Sequence, residues 1–301
     1  MIRHLGLKAY GKINLGLDVL RKREDGYHEV RMIMQTVGLY DKIDLYLKET
    51  PGIEVETNLF YLPVNENNLV YKAAKLLMDE FHITHGLSIH LKKFIPVSAG
   101  MAGGSSDAAA VLFGVNKMFQ MELSQKELME RGVKIGADVP YCIMRGTALA
   151  EGIGEILTPL APIPQCQVLL AKPGISVSTR FVYEHLDAAG LKAEDHPDIE
   201  GLKNAIGRQD IYKVSRLLGN VLETVTIPEY PVIAEIKERM LSLGATGALM
   251  SGSGPTVFGI FTNPRAAKEA YEELRYGESR SLAKQVYLTN FYNTKEVSHG
   301  E

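Results

Sequence analysis

The segment Pro96-Val97-Ser98-Ala99-Gly100-Met101-Ala102-Gly103-Gly104-Ser105-Ser106-Asp107 constrains this chain most, because it runs straight into the helix-favouring Ala108-Ala109-Ala110-Val111-Leu112-Phe113. Glycines let backbone N–H groups come close to a ligand, since no Cβ intervenes. A helix opening at that point aims its unpaired N–H groups and its positive dipole end at the same place. The combination binds phosphate. It is not a Walker A loop, which ends in Gly-Lys-Ser/Thr, and it lacks the dinucleotide Gly-x-Gly-x-x-Gly. The competing reading is a plain strand-to-helix turn capped by Ser105, Ser106 or Asp107.

A loop of this kind needs a scaffold, and the chain has material for one: 301 residues, 46% hydrophobic and 23% charged. That is a globular composition of one large or two medium domains. A net charge of −3 gives no reason to expect steering toward nucleic acid or a membrane surface. Cys142 and Cys166 are too few for a disulfide framework or a thiolate metal site and read as reduced thiols. His4, Lys8, Lys12 and Asp18 break up the N-terminal segment, so no signal peptide is expected. The charge-free run 240–264 is too rich in glycine, serine and proline for a membrane helix. The expectation is a cytoplasmic, enzyme-sized protein.

Periodicity predicts a strand, turn and strand over 5–20, further strands over 30–37 and 42–47, and a helix over 68–81. A strand over 87–92 feeds the glycine loop, and the loop opens a helix over 106–119. Ser124 and Glu127 form a capping box for a helix over 124–134, followed by a strand and turn over 147–156. Residues 160–167, with Pro162 and Pro164, read as a linker, dividing the chain into 1–159 and 160–301. Beyond it a strand (168–171), helices (178–186, 199–204 and 230–243), a hairpin (245–261), a helix (264–274) and a strand (283–288) follow. Strands and helices mix without strict alternation, which predicts an α+β chain.

Four other segments could carry chemistry. In Ala9-Tyr10-Gly11-Lys12-Ile13-Asn14-Leu15, Lys12 and Asn14 share one face of a strand whose other face is apolar; a solvent-facing strand with snorkelling charge is the alternative. Asp25-Gly26-Tyr27-His28 is a turn whose aromatic and imidazole rings could hold a planar base, or simply a turn. In Gly136-Ala137-Asp138-Val139-Pro140 the acid stands among small and apolar residues, where a carboxylate has either a cation nearby or a task. Ser251-Gly252-Ser253-Gly254-Pro255-Thr256 is a second glycine loop, able to support the first or merely to turn a hairpin.

Taken together and in this order, Lys-Ile-Asn-Leu, Asp-Gly-Tyr-His, Gly-Gly-Ser-Ser-Asp-Ala-Ala, Gly-Ala-Asp-Val-Pro and Ser-Gly-Ser-Gly-Pro-Thr resemble the GHMP kinase superfamily over nearly the whole chain. The resemblance implies a two-domain α+β fold, the N-terminal domain like ribosomal protein S5 domain 2 and the C-terminal one ferredoxin-like. It implies ATP as co-substrate, Mg²⁺ as cofactor with no protein ligand assigned, and phosphorylation of the 2-hydroxyl of 4-diphosphocytidyl-2-C-methyl-D-erythritol in non-mevalonate isoprenoid precursor synthesis. By position, Lys12 and Asp138 match the catalytic lysine and aspartate, the first as electrostatic activator and the second as general base. Pro96 through Ser106 matches the ATP phosphate loop, and Asn68, in Glu66-Asn67-Asn68-Leu69, a stretch near the adenine. Tyr27, His28 and Tyr183 match the groups that grip the cytosine, Tyr27 and Tyr183 from opposite faces, and Asn14 stands beside the substrate. Asp107 departs from the Asn of some members. A homodimer is compatible with the family; nucleic-acid and membrane partners are not expected. A kinase of the same fold acting on another alcohol, or a nucleotide-binding regulator without turnover, are the alternatives.

Overall fold

A computed structural model of the chain describes residues 2–293. A seven-stranded sheet holds β1 (His4–Lys22), β2 (His28–Lys48), β3 (Ile53–Thr57), β4 (Gly86–Lys92), β5 (Thr147–Glu151) and β6 (Ile156–Pro159), with the two-residue β8 (Gly219–Asn220) at its edge. Its central order is β3-β4-β2-β1-β8; β5 pairs with the first half of β2 and carries β6 outward. Helices α1 (Leu69–Glu80), α2 (Gly103–Phe119), α3 (Gln125–Gly132) and α4 (Val139–Met144) pack with this sheet, and the Ser124–Glu127 capping box forms as expected.

The expected strand–turn–strand over 5–20 is one continuous strand, β1, and the two strands expected over 30–37 and 42–47 are one strand, β2. The breaks in alternation are bulges rather than turns. The β1–β2 register slips between Tyr10 and Lys12, between Asn14 and Gly16, and between Val19 and Arg21. A bulge adds a residue without ending pairing and re-aims the side chains beyond it. It also frees the Lys12 N–H to bond Met101 O at 3.1 Å, tying β1 to the glycine loop.

A four-stranded antiparallel sheet, order β11-β7-β10-β9, is built from β7 (Gln167–Lys172), β9 (Gly247–Met250), β10 (Val257–Phe261) and β11 (Gln285–Asn290). Its two faces follow from the period of two along each strand. Leu169 and Ala171 of β7, with Phe261, join Ile236 of α9 (Val232–Ser242) and Leu274 of α10 (Pro264–Tyr276). Val168 and Leu170, with Ile260, join Leu202 of α6 (Ile199–Gly207), Val214 of α7 (Ile211–Arg216) and Ile13 and Ile33 of the large sheet. Helices α5 (Thr179–His185) and α8 (Glu223–Glu229) complete the second half. Sequence periodicity missed α4, α7, α8, β3, β6 and β8. No described helix is long and apolar enough to cross a membrane.

Candidate active site

The glycine loop is held in an unusual backbone. Ser98, Gly100 and Ala102 have φ of 50°, 72° and 54°, two of them non-glycine residues in the left-handed region. Such strain costs about 1–3 kcal/mol per residue and gathers at functional sites. Ala102 is the N-cap of α2 and offers no side-chain cap. The cap by Ser105, Ser106 or Asp107 that the competing reading required is absent, and the opening N–H groups of α2 have no side-chain cap. Helix α2 starts at Gly103, three residues earlier than periodicity predicts.

The second glycine loop braces the first. Ser251 Oγ donates to Gly100 O at 2.9 Å, and Gly254 N donates to Ser251 O at 2.9 Å. A Cβ on Gly100 would sit 2.0 Å from Ser251 O, which excludes a side chain there, and one on Gly252, at φ 57°, would be strained and sit 3.1 Å from Gly100 O. Asn220 of β8, which sequence reasoning missed, donates to Met250 O at 2.9 Å and to Gly252 O at 2.8 Å. Thr179, the first residue of α5, shares a hydrogen bond with Ser253 at 2.8 Å.

Both loops open on one cavity of about 1050 Å³. Lys12 and Asn14 stand in its wall, 5% and 0% exposed, so the solvent-facing alternative for this strand fails. Lys12 Nζ donates to Asn14 Oδ1 at 2.7 Å, and Asn14 Nδ2 reaches Met32 Sδ at 3.2 Å. Asp138 caps α4 in position but makes no side-chain capping bond, and it lines the cavity. The buried Cys142 thiol records both charges: burial pushes its pKa up most, Asp138 adds to that, and Lys12 opposes it. Lys12 and Asp138 do not form an ion pair; the ammonium is directed to Asn14.

Tyr183, on α5, also lines the cavity and lies against His28, with ring centroids 5.1 Å apart and planes inclined by 36°. Burial, and then Asp138, push the Tyr183 hydroxyl pKa up. Burial, and then Lys22, hold His28 below the ordinary imidazole range. Tyr27 stands on the rim, 60% exposed. The ring that meets Tyr183 is His28.

The expected nucleotide residues are placed differently. Pro96, Val97, Ser98, Ala99, Gly100, Ala102, Gly103, Gly104 and Ser105 line the cavity, whereas Met101 and Ser106 turn inward. Met101 is buried with its carbonyl on Lys12 N, and the Ser106 hydroxyl donates to Tyr10 O at 2.5 Å. Asn68 does line the cavity, but its amide is engaged: Oδ1 caps α1 at Val70 N (3.1 Å) and Nδ2 donates to Pro63 O (2.7 Å).

Sequence reasoning missed Lys93 entirely. It lines the cavity beneath Gly103, and its ammonium donates to both Asp41 and Asp107. A signal was present: residues 87, 89 and 91 are the buried parity of β4 and 43 and 45 that of β2, so Lys93 and Asp41 occupy core positions. Among the described residues no three His, Cys, Asp or Glu side chains group as a metal site.

Residues 68–146 match the family model described as GHMP kinases N terminal domain, and 199–278 that described as GHMP kinases C terminal. The chain is 56% identical over 97% of its length, and 99% of the relative's, to a 4-diphosphocytidyl-2-C-methyl-D-erythritol kinase of Lachnoclostridium phytofermentans. It is 46% identical to one of Alkaliphilus metalliredigens, over 98% of this chain and 99% of that protein. A crystal structure of 4-(cytidine 5'-diphospho)-2C-methyl-D-erythritol kinase superposes with a TM-score of 0.79 at 32% identity, covering 96% of this chain and 100% of that one. A homoserine kinase from Cytophaga hutchinsonii reaches the same TM-score at 19% identity, covering 96% and 95%, which speaks to the fold alone.

Proposed function

This chain belongs to the GHMP kinases, among the 4-diphosphocytidyl-2-C-methyl-D-erythritol kinases, and from that premise we propose that Asp138 and Lys12 carry phosphoryl transfer from ATP to the 2-hydroxyl of this cytidyl alcohol. The observation that supports the reading is convergence: a buried lysine, an uncapped helix N-terminus and a free carboxylate share one cavity with an aromatic pair.

Phosphoryl transfer asks for positioning and charge neutralisation more than for covalent help. The N–H groups opening α2 and the strained loop hold the phosphates of ATP. Asp138 accepts the proton of the attacking hydroxyl. Lys12, fixed by Asn14, keeps N–H donors for charge developing on the transferred group, and in a water-poor wall a preorganised donor is worth more than in bulk water. His28 and Tyr183 offer a stacking surface for the cytosine. The donor set fits a magnesium ion that arrives on ATP: Mg²⁺ usually keeps several waters and needs one or two carboxylates besides phosphates, and of the carboxylates lining the cavity Asp107 is bonded to Lys93 and Glu184 to Arg180, which leaves Asp138. When bound it would neutralise phosphate charge.

Asp138→Asn keeps the shape and removes the proton acceptor. kcat should fall roughly 10²–10⁴-fold with KM for ATP little changed, in a coupled ADP-release assay. A fall of less than threefold would remove Asp138 from the mechanism. The same assay over a panel (the cytidyl-erythritol alcohol, mevalonate, homoserine, galactose) tests the substrate, and preference for another member would replace it.

A further inference from the structure

Below the glycine loop lies a buried group that the phosphoryl-transfer reading leaves idle. Lys93, Asp41 and Asp107 are each less than one-tenth exposed. The Lys93 ammonium donates to Asp107 Oδ2 at 2.6 Å and to Asp41 Oδ2. Asp41 Oδ1 accepts in addition from Ile95 N at 2.8 Å and from Phe94 N. The cluster therefore fastens both ends of the loop: Phe94 and Ile95 lead into Pro96, and Asp107 sits in the second turn of α2, which leads out. Lys93 Nζ lies 3.1 Å from where a Cβ of Gly103 would be, directly under the N–H groups that open the helix.

The two carboxylates are not equivalent. Asp41 receives an ammonium and two backbone N–H groups, the pattern that stabilises an ionised carboxylate. Asp107 receives the ammonium on one oxygen, while Oδ1 is buried without a partner. An ionised carboxylate with a bare buried oxygen is costly. With both acids ionised the cluster would carry a net negative charge under a phosphate site; with one protonated it is neutral.

We propose that Asp41, Lys93 and Asp107 form a neutral clip that holds the nucleotide loop shut, Asp41 and Lys93 as the ion pair and Asp107 as the member that keeps its proton. Asp107 is a positioning residue; it acts through the loop. The charged and titratable groups around it are Lys93 after β4, Asp41 on β2 and the Cys142 thiol on α4. Burial pushes its carboxyl up, Lys93 opposes that, and Asp41 adds to it. An asparagine copies the shape of a protonated aspartate.

The test uses the full chain, first without nucleotide. A raised carboxyl keeps in the native state a proton that the unfolded chain releases above about pH 3.9. Its stability contribution is complete below that point and is lost as pH rises. Asp107→Asn cannot titrate, so its Tm should gain on the wild type from about pH 5 to about pH 8, where an ordinary carboxylate near 3.9 no longer titrates. The infrared difference spectrum between the two should contain a protonated-carboxyl C=O stretch. Asp41→Asn should lower Tm strongly, since it removes the ionised partner of Lys93. A pH-independent gap, with Asp107→Asn always the less stable and no such stretch, would overturn the proposal. The nucleotide arm rests on the ATP reading: Asp107→Ala should raise KM for ATP severalfold and Asp107→Asn should restore it. Equal KM values in all three would remove the clip from loop positioning. Absence of ATP turnover in the wild type would instead sink the ATP reading and leave the stability and infrared results to decide the clip.

Discussion

At the residue scale the site is divided between groups that a motif announces and groups that only packing brings in. Lys12 was legible because Lys-Ile-Asn stands in an apolar strand, and its burial against Asn14 bears on how it can be replaced. Lys12→Ala should cost several kcal/mol of transition-state stabilisation, roughly what losing one preorganised donor costs, read as a fall in kcat/KM. Lys12→Arg should rescue poorly, because a planar fork does not fit where a compact ammonium meets Asn14; full activity in Lys12→Arg would mean that diffuse positive charge suffices. Tyr183→Ala should raise KM for the cytidyl substrate about tenfold to a hundredfold, the worth of base stacking on one or two aromatic faces, and leave KM for ATP alone. Tyr183 also packs against the core, so a lowered Tm with unchanged substrate KM would reassign it to structure. Lys93 and Asp41 escaped notice for a physical reason. Each looks like an ordinary surface charge until its parity in the strand is counted, and their meeting depends on the alignment of β2 with β4.

At the element scale, the loop-to-helix unit could be read from the chain because glycine placement and an alanine run act locally. What joins it to the second loop could not, since that seam spans 151 residues of sequence. Strands β1 and β2 were read as broken because a bulge and a turn interrupt alternation in the same way. Helices α4 and α8 were missed because Pro140 lies in the first turn of one and Pro228 inside the other. The seam makes a sharp distinction among glycines of positive φ. Gly26→Ala, at φ 85° with no neighbour within 4 Å, meets only the backbone strain of about 1 kcal/mol. Gly100→Ala adds the collision with Ser251 O. It should lower Tm further and raise KM for ATP, while Gly26→Ala leaves KM for ATP unchanged; matching effects from the two would mean that the seam is loose. Gly103 is a poorer probe, since a side chain there meets Ile95 and Lys93 before any phosphate.

At the scale of the whole molecule, the two sheets are not independent. β8 comes from the second half yet completes the first sheet beside β1, and Ile13 and Ile33 share a buried cluster with Val168 and Leu202. The first glycine loop bonds both β1 and the second glycine loop, so, on the proposed ATP reading, a ligand there should stabilise both halves at once. ATP at about a hundred times its Kd should add about 2.7 kcal/mol by linkage. Probes in the large sheet and in the four-stranded sheet should then shift upward together in thermal unfolding. A shift confined to one probe would make the halves separate folding units. The collision that forbids a side chain at Gly100 involves a carbonyl oxygen, and every residue at position 251 carries one. A genetic screen for second-site suppressors of Gly100→Ala should therefore return no allele at codon 251, and any rescue would come from changes that move β9 as a whole.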